Sequence, residues 1–290
     1  MYFFVVNSVS GNGRGKEVWS YVEKKLNKMN VPYQAEFTQR AGHATRIVKS
    51  AVRQPDIKAI VAIGGDGTVN EVGSGLIGTN IPMGYIPAGT GNDFALANRI
   101  PFDPYLALDR VLEHNVQRID TADLGDRKMI GFMGIGFDGK VAEMVNRSSK
   151  KKWLGRLTYV LEGLKLLRSF QPDQFTLTID GKSYEYDGAW LVAVTNIPNL
   201  GGGMKICPSA IVDDGQLDVC CVQNLTQGEL LRVIPSVYKG KHTNHPSIKF
   251  HRGKEITIHS RSPLPIHVDG EVVLQPPLSI KVNPRSLSII

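Results

Sequence analysis

The chain has 290 residues, of which 42% are hydrophobic and 21% charged, and its formal net charge is +7. This balance excludes disordered and fibrous classes, and the length allows one large domain or two smaller ones. The basic surplus favours anionic partners such as nucleotides, nucleic acid or an anionic leaflet, yet no window approaches the roughly 20 apolar residues that cross a bilayer.

The opening Met1-Tyr2-Phe3-Phe4-Val5-Val6 is too short for a signal peptide and no basic region precedes it, so residues 2–7 read as a buried first strand. A glycine-rich loop follows. Val18, Tyr21, Val22, Leu26 and Met29 then recur at helical spacing and predict a helix over 16–29. A strand is expected at 33–38 and a helix at 43–52. Residues 57–63 are β-branched and almost wholly apolar, as a strand buried on both faces of a parallel sheet should be. A helix at 68–77, a short strand at 83–86 and a helix at 104–114 continue the alternation. Alternating β and α argue for a parallel sheet sandwiched by helices.

Beyond about residue 120 strands dominate, at 129–134, 175–179, 189–196, 217–222, 255–259, 266–268 and 278–282. Helical stretches interrupt them at 141–146, 153–169 and 227–238. Many short strands punctuated by Gly, Pro and Asp turns predict an antiparallel sandwich. The fold class is therefore α/β: an N-terminal parallel-sheet nucleotide-binding domain (1–122) and a C-terminal β-rich antiparallel sandwich (123–290), whose last residues can pack back on the first domain. No internal repeat is visible.

Three glycine-rich turns each follow a strand of the first domain. They are Asn7-Ser8-Val9-Ser10-Gly11-Asn12-Gly13-Arg14-Gly15, Gly64-Gly65-Asp66-Gly67-Thr68-Val69-Asn70-Glu71 and Pro87-Ala88-Gly89-Thr90-Gly91-Asn92-Asp93. All would lie at the carboxyl ends of parallel strands, where open α/β sheets bind ligands. Glycine lets backbone N–H groups approach phosphate oxygens, and a helix N-terminus adds a favourable dipole. A P-loop is excluded, because Ser10 stands where its first glycine belongs and Glu17 follows Lys16. Gly134-Ile135-Gly136-Phe137-Asp138-Gly139 matches a dinucleotide fingerprint but lies outside the alternating region, and reads as a tight turn into a helix. In the middle loop, Asp66 could reach a phosphate-bound Mg²⁺ directly or through water, and Thr68 could cap the helix and bond a phosphate.

Elsewhere the signals are weaker. Cys207, Cys220 and Cys221 suit buried reduced thiols in a cytosol. The histidines offer no metal cluster, and His242-Thr243-Asn244-His245 reads as surface. Two basic clusters, Arg147-Ser148-Ser149-Lys150-Lys151-Lys152 and Lys239-Gly240-Lys241-His242, are either solvated loops or membrane-facing. No aromatic–basic interleaving points to nucleic acid.

At the glycine loops a resemblance sets in. Gly64-Gly65-Asp66-Gly67-Thr68-Val69-Asn70-Glu71 resembles the signature of the diacylglycerol kinase catalytic-domain family, which includes bacterial soluble lipid kinases and sphingosine kinases. NAD kinases share only the shorter core. Pro87-Ala88-Gly89-Thr90-Gly91-Asn92-Asp93-Phe94 is similar to the lipid branch's second signature. Asn7 with Ser10-Gly11, Thr38 with Gly42-His43-Ala44, Gly134–Asp138, Asp213-Asp214-Gly215 and Val268-Asp269-Gly270-Glu271 also match, in order along nearly the whole chain. Ser8 departs from a frequent proline, which touches only loop stiffness.

The resemblance implies ATP bound between the domains by Asn7, Ser10, Gly11, Thr38, Gly64, Gly65, Asp66, Gly67, Thr68, Asn70 and Thr90. It implies a carboxylate and water network of Asp66, Asp93 and Asp120 around a catalytic Mg²⁺. It further implies a lipid hydroxyl deprotonated by Asp269 or Glu271, with Asp269 favoured as the better presented. A second, structural Mg²⁺ would take the Asp214 side chain and the carbonyls of Ile211 and Gln216. The expected activity is transfer of the γ-phosphate of ATP to a lipid hydroxyl, diacylglycerol to phosphatidic acid, in phospholipid synthesis. The expected location is cytoplasmic, peripherally at the inner face of the membrane, and exposed strand edges allow a homodimer. An NAD kinase-like enzyme and a non-catalytic lipid- or nucleotide-binding module are the alternatives.

Overall fold

The computed structural model describes residues 1–147, 156–274 and 276–290. The chain divides into two compact units, Met1–Asp120 with Arg285–Ile290, and Thr121–Pro284.

In the first unit β1 (Tyr2–Val6), α1 (Arg14–Lys28), β2 (Tyr33–Phe37), α2 (His43–Ala51), β3 (Ala59–Gly64), α3 (Asp66–Leu76), β4 (Met83–Pro87), α4 (Asp93–Ala97), α5 (Pro104–Glu113) and the start of β5 (Gln117–Asp123) follow in order. β1 pairs in parallel with β2 and β3, and β3 with β4. Every residue of β1, β3 and β4 is buried, as the apolar runs require, whereas the edge strand β2 is half-exposed. Trp19 of α1 packs its ring 5.4 Å from Phe4 and 5.7 Å from Tyr33, fixing that helix on the sheet. α5 begins on Asp103, whose carboxylate accepts from Tyr105 N and Leu106 N, with Pro104 in the first turn. α4 was outside the sequence expectation, since five residues are too few to show a period.

The second unit continues with β6 (Lys128–Met129), β7 (Phe132–Gly136), α6 (Phe137–Arg147), α7 (Arg156–Leu167), β8 (Asp173–Ile179), β9 (Lys182–Thr195), β10 (Leu217–Gln223), α8 (Gln227–Tyr238), a 3₁₀ turn (Lys241–Asn244), β11 (Ile248–Gly253), β12 (Glu255–Ser260), β13 (Ile266–Val268), β14 (Glu271–Leu274) and β15 (Leu278–Ile289). Among the described residues its strands β7 to β14, and β12 with β15, pair in antiparallel. The first half of β9 pairs with β8, and its second half with β7 and β10. Gly188, at φ +58°, lies between the two halves, and the strand thereby serves both sides of one apolar core. The N-terminal half of β9, β11 and the hairpin strand β14 exceed the sequence expectation. The outward residues of β11 and of the first half of β9 are polar, so alternation there is easily read as loop.

The basic cluster from 148 to 152 and the start of the expected helix at 153–155 lie outside the described residues. The other basic cluster is partly corrected: His242 is 2% exposed and its Nε2 lies 3.0 Å from the Ile206 carbonyl oxygen, so it belongs to the core. The three cysteines are free and buried. Among the described residues no helix is long and apolar enough to cross a membrane.

The end of β15 returns to the first unit. Ile289 pairs in parallel with Met83, Ile290 N donates to Met83 O at 3.0 Å, and Arg285 N donates to Asp120 Oδ1 at 2.7 Å.

Candidate active site

The three glycine loops are packed on one another by the absence of side chains. A methyl built on Gly89 would lie 2.4 Å from Gly65 Cα, and one on Gly11 2.3 Å from the Ala88 carbonyl oxygen. One on Gly65 would meet Gly89 Cα at 3.1 Å and Ser10 Oγ at 3.4 Å. At Gly11 and Gly89 the backbones therefore approach more closely than any other residue permits, and at Gly65 the fit is tight. The middle loop is short because β3 runs directly into α3 through Gly65.

Side chains lock the arrangement. Tyr85, inside β4, donates from its hydroxyl toward Gly64 O at 3.1 Å and Asn92 Oδ1 at 2.9 Å. Asn92 Oδ1 also accepts from Gly89 N at 2.9 Å, while its Nδ2 donates to Gly89 O at 3.0 Å. Burial pushes the Tyr85 phenol well above its ordinary value, with the Asp66 and Asp93 charges adding to the effect and Arg14 opposing it. The phenol thus stays protonated and remains a donor. Sequence reasoning missed this tyrosine, because in a strand pattern it is one more apolar position.

Asn7 Nδ2 donates to Thr68 Oγ1 at 3.0 Å, and Asn7 Oδ1 is buried with no hydrogen-bond partner among the described residues. Thr68 is a correction: Gly65 occupies the N-cap, no side chain caps α3, and Thr68 is buried in the first turn facing Asn7. Asp66 Oδ1 accepts from Phe94 N at 3.1 Å, tying the second loop to the third. Thr38 follows β2 at the same carboxyl edge, its N donating to Val6 O at 2.9 Å. Asp93 is buried, Asn70 half-buried, and Gly67 and Thr90 exposed. Glu71, beside Asn70 in the signature, has its carboxylate taken up by α2. Its two carboxylate oxygens accept from Gly42 N and Ala44 N at 2.9 Å each and cap α2. Glu71→Ala is expected to lower unfolding free energy by about 0.5–2 kcal/mol, as loss of an N-cap does, measurable by urea denaturation.

In the second unit the Asp269-Gly270 turn joins β13 to β14. Asp269 takes a positive φ of 47°. Its Oδ1 accepts from Gly131 N and Phe132 N, and its Oδ2 from Ile130 N, all at 2.9 Å. Glu271 differs: its side chain is 56% exposed and lies 3.3 Å from Arg127 Nη1.

Behind the turn, His267 Nε2 lies 2.6 Å from Asp138 Oδ2. A methyl on Gly134 would fall 2.3 Å from that oxygen and 2.6 Å from that nitrogen, so the glycine makes room for the pair. Burial pushes His267 down, but the charge and hydrogen bond of Asp138, with the Asp269 charge behind them, lift it above its ordinary value. Burial likewise pushes Asp138 up, and His267 overcomes it to leave the carboxyl below its ordinary value. A raised His contributes stability below its unfolded value, near 6.5, and loses it as pH rises through the folded value. A lowered Asp contributes above its unfolded value, near 3.8, and loses it as pH falls through the folded value. His267→Gln is therefore expected to cost most stability at about pH 5.5 and progressively less toward about pH 9, read from urea midpoints across that range.

The comparisons with known proteins follow the two units. Residues 1–124 match the diacylglycerol kinase catalytic domain, and residues 131–290 the YegS C-terminal NAD kinase beta sandwich-like domain. The chain belongs to the diacylglycerol kinase family. A diacylglycerol kinase of Mycobacterium tuberculosis is 31% identical, covering 99% of this chain and 93% of its own. One of Bacillus subtilis (strain 168) is 31% identical, covering 92% of this chain and 88% of its own. The crystal structure of a diacylglycerol kinase from Bacillus anthracis str. Sterne matches with a TM-score of 0.80 at 26% identity, over 100% of this chain and 96% of that one.

The oxygen donors that this diacylglycerol kinase family member could offer a metal ion differ between the units. Among the described residues no group of three or more His, Cys, Asp or Glu is placed to hold an ion directly. In the first unit the Asp66 and Asp93 carboxylates, both acting on Tyr85, suit an ion carried by a nucleotide and reached through water. Asp120 is engaged by Arg285 N. The expected structural ion fits poorly. Asp214 Oδ1 accepts from Gln216 N at 3.0 Å, and its Oδ2 is in contact with the Arg252 guanidinium. Arg252 Nε also lies 3.3 Å from Asp218 Oδ1. A guanidinium already neutralises the carboxylate that was expected to ligate, and Ile211 is half-exposed.

Proposed function

We propose that the chain is an ATP- and Mg²⁺-dependent lipid kinase that converts diacylglycerol to phosphatidic acid. The observation that carries this reading is the mutual close packing of the three glycine loops at one carboxyl sheet edge. Glycines packed in this way leave backbone N–H groups uncovered by side chains, so that they can approach a polyphosphate.

In the proposed reaction the lipid hydroxyl oxygen bonds to the γ-phosphorus, the bond from that phosphorus to the β-phosphate oxygen breaks, and the hydroxyl proton passes to a carboxylate. Mg²⁺ bound with the nucleotide would neutralise phosphate charge. Asn7, Ser10, Gly11, Thr38, Gly64, Gly65, Gly67, Thr68, Asn70 and Thr90 are proposed to cradle ATP, with Asp66 and Asp93 turned toward its ion and Asp120 in the surrounding network. The base is Glu271. Among the described residues its exposed carboxylate is held by Arg127 in a solvent-screened pair, whereas the Asp269 oxygens are occupied by three backbone donors. Asp269 then acts as the anchor that presents Glu271. The proposed setting is cytoplasmic, at the inner face of the membrane.

The test incubates the purified protein with labelled ATP, Mg²⁺ and mixed micelles carrying diacylglycerol. Labelled phosphatidic acid is the expected product. Labelled NADP from NAD, with no labelled lipid, would assign the chain to soluble substrates. Silence with diacylglycerol, other lipid alcohols and NAD would leave a binding module.

A further inference from the structure

α8 is apolar on two faces. Leu230, Val233 and Val237 are buried in a core shared with Trp190 and Cys220. Leu231, Ile234 and Tyr238 remain 43%, 37% and 45% exposed. Positions 231, 234 and 238 fall at i, i+3 and i+7, so they form one outward stripe where a surface helix ordinarily carries polar residues.

Cations gather at the C-terminal end of that stripe. Lys239 and Lys241 are exposed and follow the helix directly. Lys205 joins them: its backbone N donates to Val237 O at 3.2 Å, and its Cδ would lie 3.7 Å from a methyl on Gly240. None of these three lysines is in an ion pair among the described residues. Residues 230–254 contain six Lys or Arg and no Asp or Glu. The nearest acid before them in sequence, Glu229, is held at the opposite end of the helix in a capping box with Thr226. Cations near a helix C-terminus complement its dipole, but that effect needs no exposed apolar stripe beside it.

We propose that the outer face of α8 with Lys205, Lys239 and Lys241 is a docking surface for an anionic lipid bilayer. Leu231, Ile234 and Tyr238 enter the headgroup–acyl boundary while the lysines meet lipid phosphates. A second copy of this chain is the less suitable occupant, because a two-fold contact would set the same lysine cluster near its own image. The inference builds on the lipid-kinase reading and is tested apart from it.

Cosedimentation with vesicles of phosphatidylglycerol and phosphatidylcholine, against phosphatidylcholine alone, reads the docking. Wild type is expected to bind the anionic vesicles, less so as salt rises. Leu231→Glu/Ile234→Glu and, separately, Lys239→Glu/Lys241→Glu are each expected to reduce binding by about tenfold or more. Both variants should phosphorylate a water-soluble short-chain diacylglycerol, in the absence of vesicles, at the wild-type rate. Wild-type binding no stronger to anionic than to neutral vesicles would overturn the proposal, as would variants that bind like wild type. A wild-type dimer that the Leu231→Glu/Ile234→Glu variant converts to monomer in light scattering would assign the face to a second copy. Docking as expected with no kinase activity on any lipid would sink the proposed reaction and leave the docking surface standing.

Discussion

Glu271→Gln is expected to lower kcat for lipid phosphorylation by about 10²–10⁴-fold, the usual contribution of a positioned base, without weakening nucleotide binding. The substitution keeps the side-chain shape and loses only an exposed pair with Arg127, of the kind worth about 0–1 kcal/mol, so folding should be nearly unchanged. Asp269→Asn should behave otherwise. A carboxamide has one acceptor oxygen, which can still serve Gly131 N and Phe132 N, but it presents an NH₂ to Ile130 N. An unsatisfied donor of this kind costs about 1–3 kcal/mol, and the turn that presents Glu271 shifts with it. Asp269→Asn is thus expected to lose stability first and activity in consequence. Full stability in Asp269→Asn with a larger fall in kcat than Glu271→Gln would make Asp269 the base.

Gly89→Ala is the second large effect. The added methyl would stand 2.4 Å from Gly65 Cα and 2.7 Å from Asn92 Oδ1. The first neighbour is backbone, so relief requires the second and third loops to separate. Overpacking of this kind costs about 1–3 kcal/mol, and the displaced amides should weaken ATP binding as well. Urea denaturation and nucleotide titration on the same variant measure the two losses. Gly228→Ala provides the contrast. That glycine lies in the first turn of α8 with open space around it, so alanine there should be neutral or stabilising. If Gly89→Ala matched Gly228→Ala in both measurements, the loops would not be packed as described.

The fold was legible wherever burial imposes a period. β1, β3 and β4 are apolar throughout, and α1 repeats its apolar residues at 18, 22 and 26, so the sheet and its helices could be placed within a residue or two. β11 and the first half of β9 alternate with polar residues on a solvated face, and that weaker signal did not stand out from loop. Site chemistry divides in the same way. Glycines that must accept backbone contact announce themselves in sequence, and Gly11, Gly65 and Gly89 all do so. What a carboxylate faces does not. On paper Asp269 looks the better presented of the two with Glu271 a close rival, and only three-dimensional pairing separates an anchored oxygen from an exposed one. The same holds for His267, whose partner Asp138 is 129 residues away, and for Arg252, which reaches back to Asp214.

The return of β15 to the first unit has a consequence for synthesis on the ribosome. Met83 is met by Ile289 and Ile290, and Asp120 meets Arg285, 165 positions further along the chain. At about 5–20 residues per second, roughly 10–30 s separate the emergence of Asp120 from that of the segment that completes its sheet. During that interval the nascent N-terminal half presents an open, apolar strand edge, the kind of surface that holding chaperones recognise and that pairs wrongly between neighbouring polysomes. Maturation of the N-terminal half is thereby tied to translation of the C-terminal half, so a chain truncated inside the second unit would leave Met83 and Asp120 without these partners.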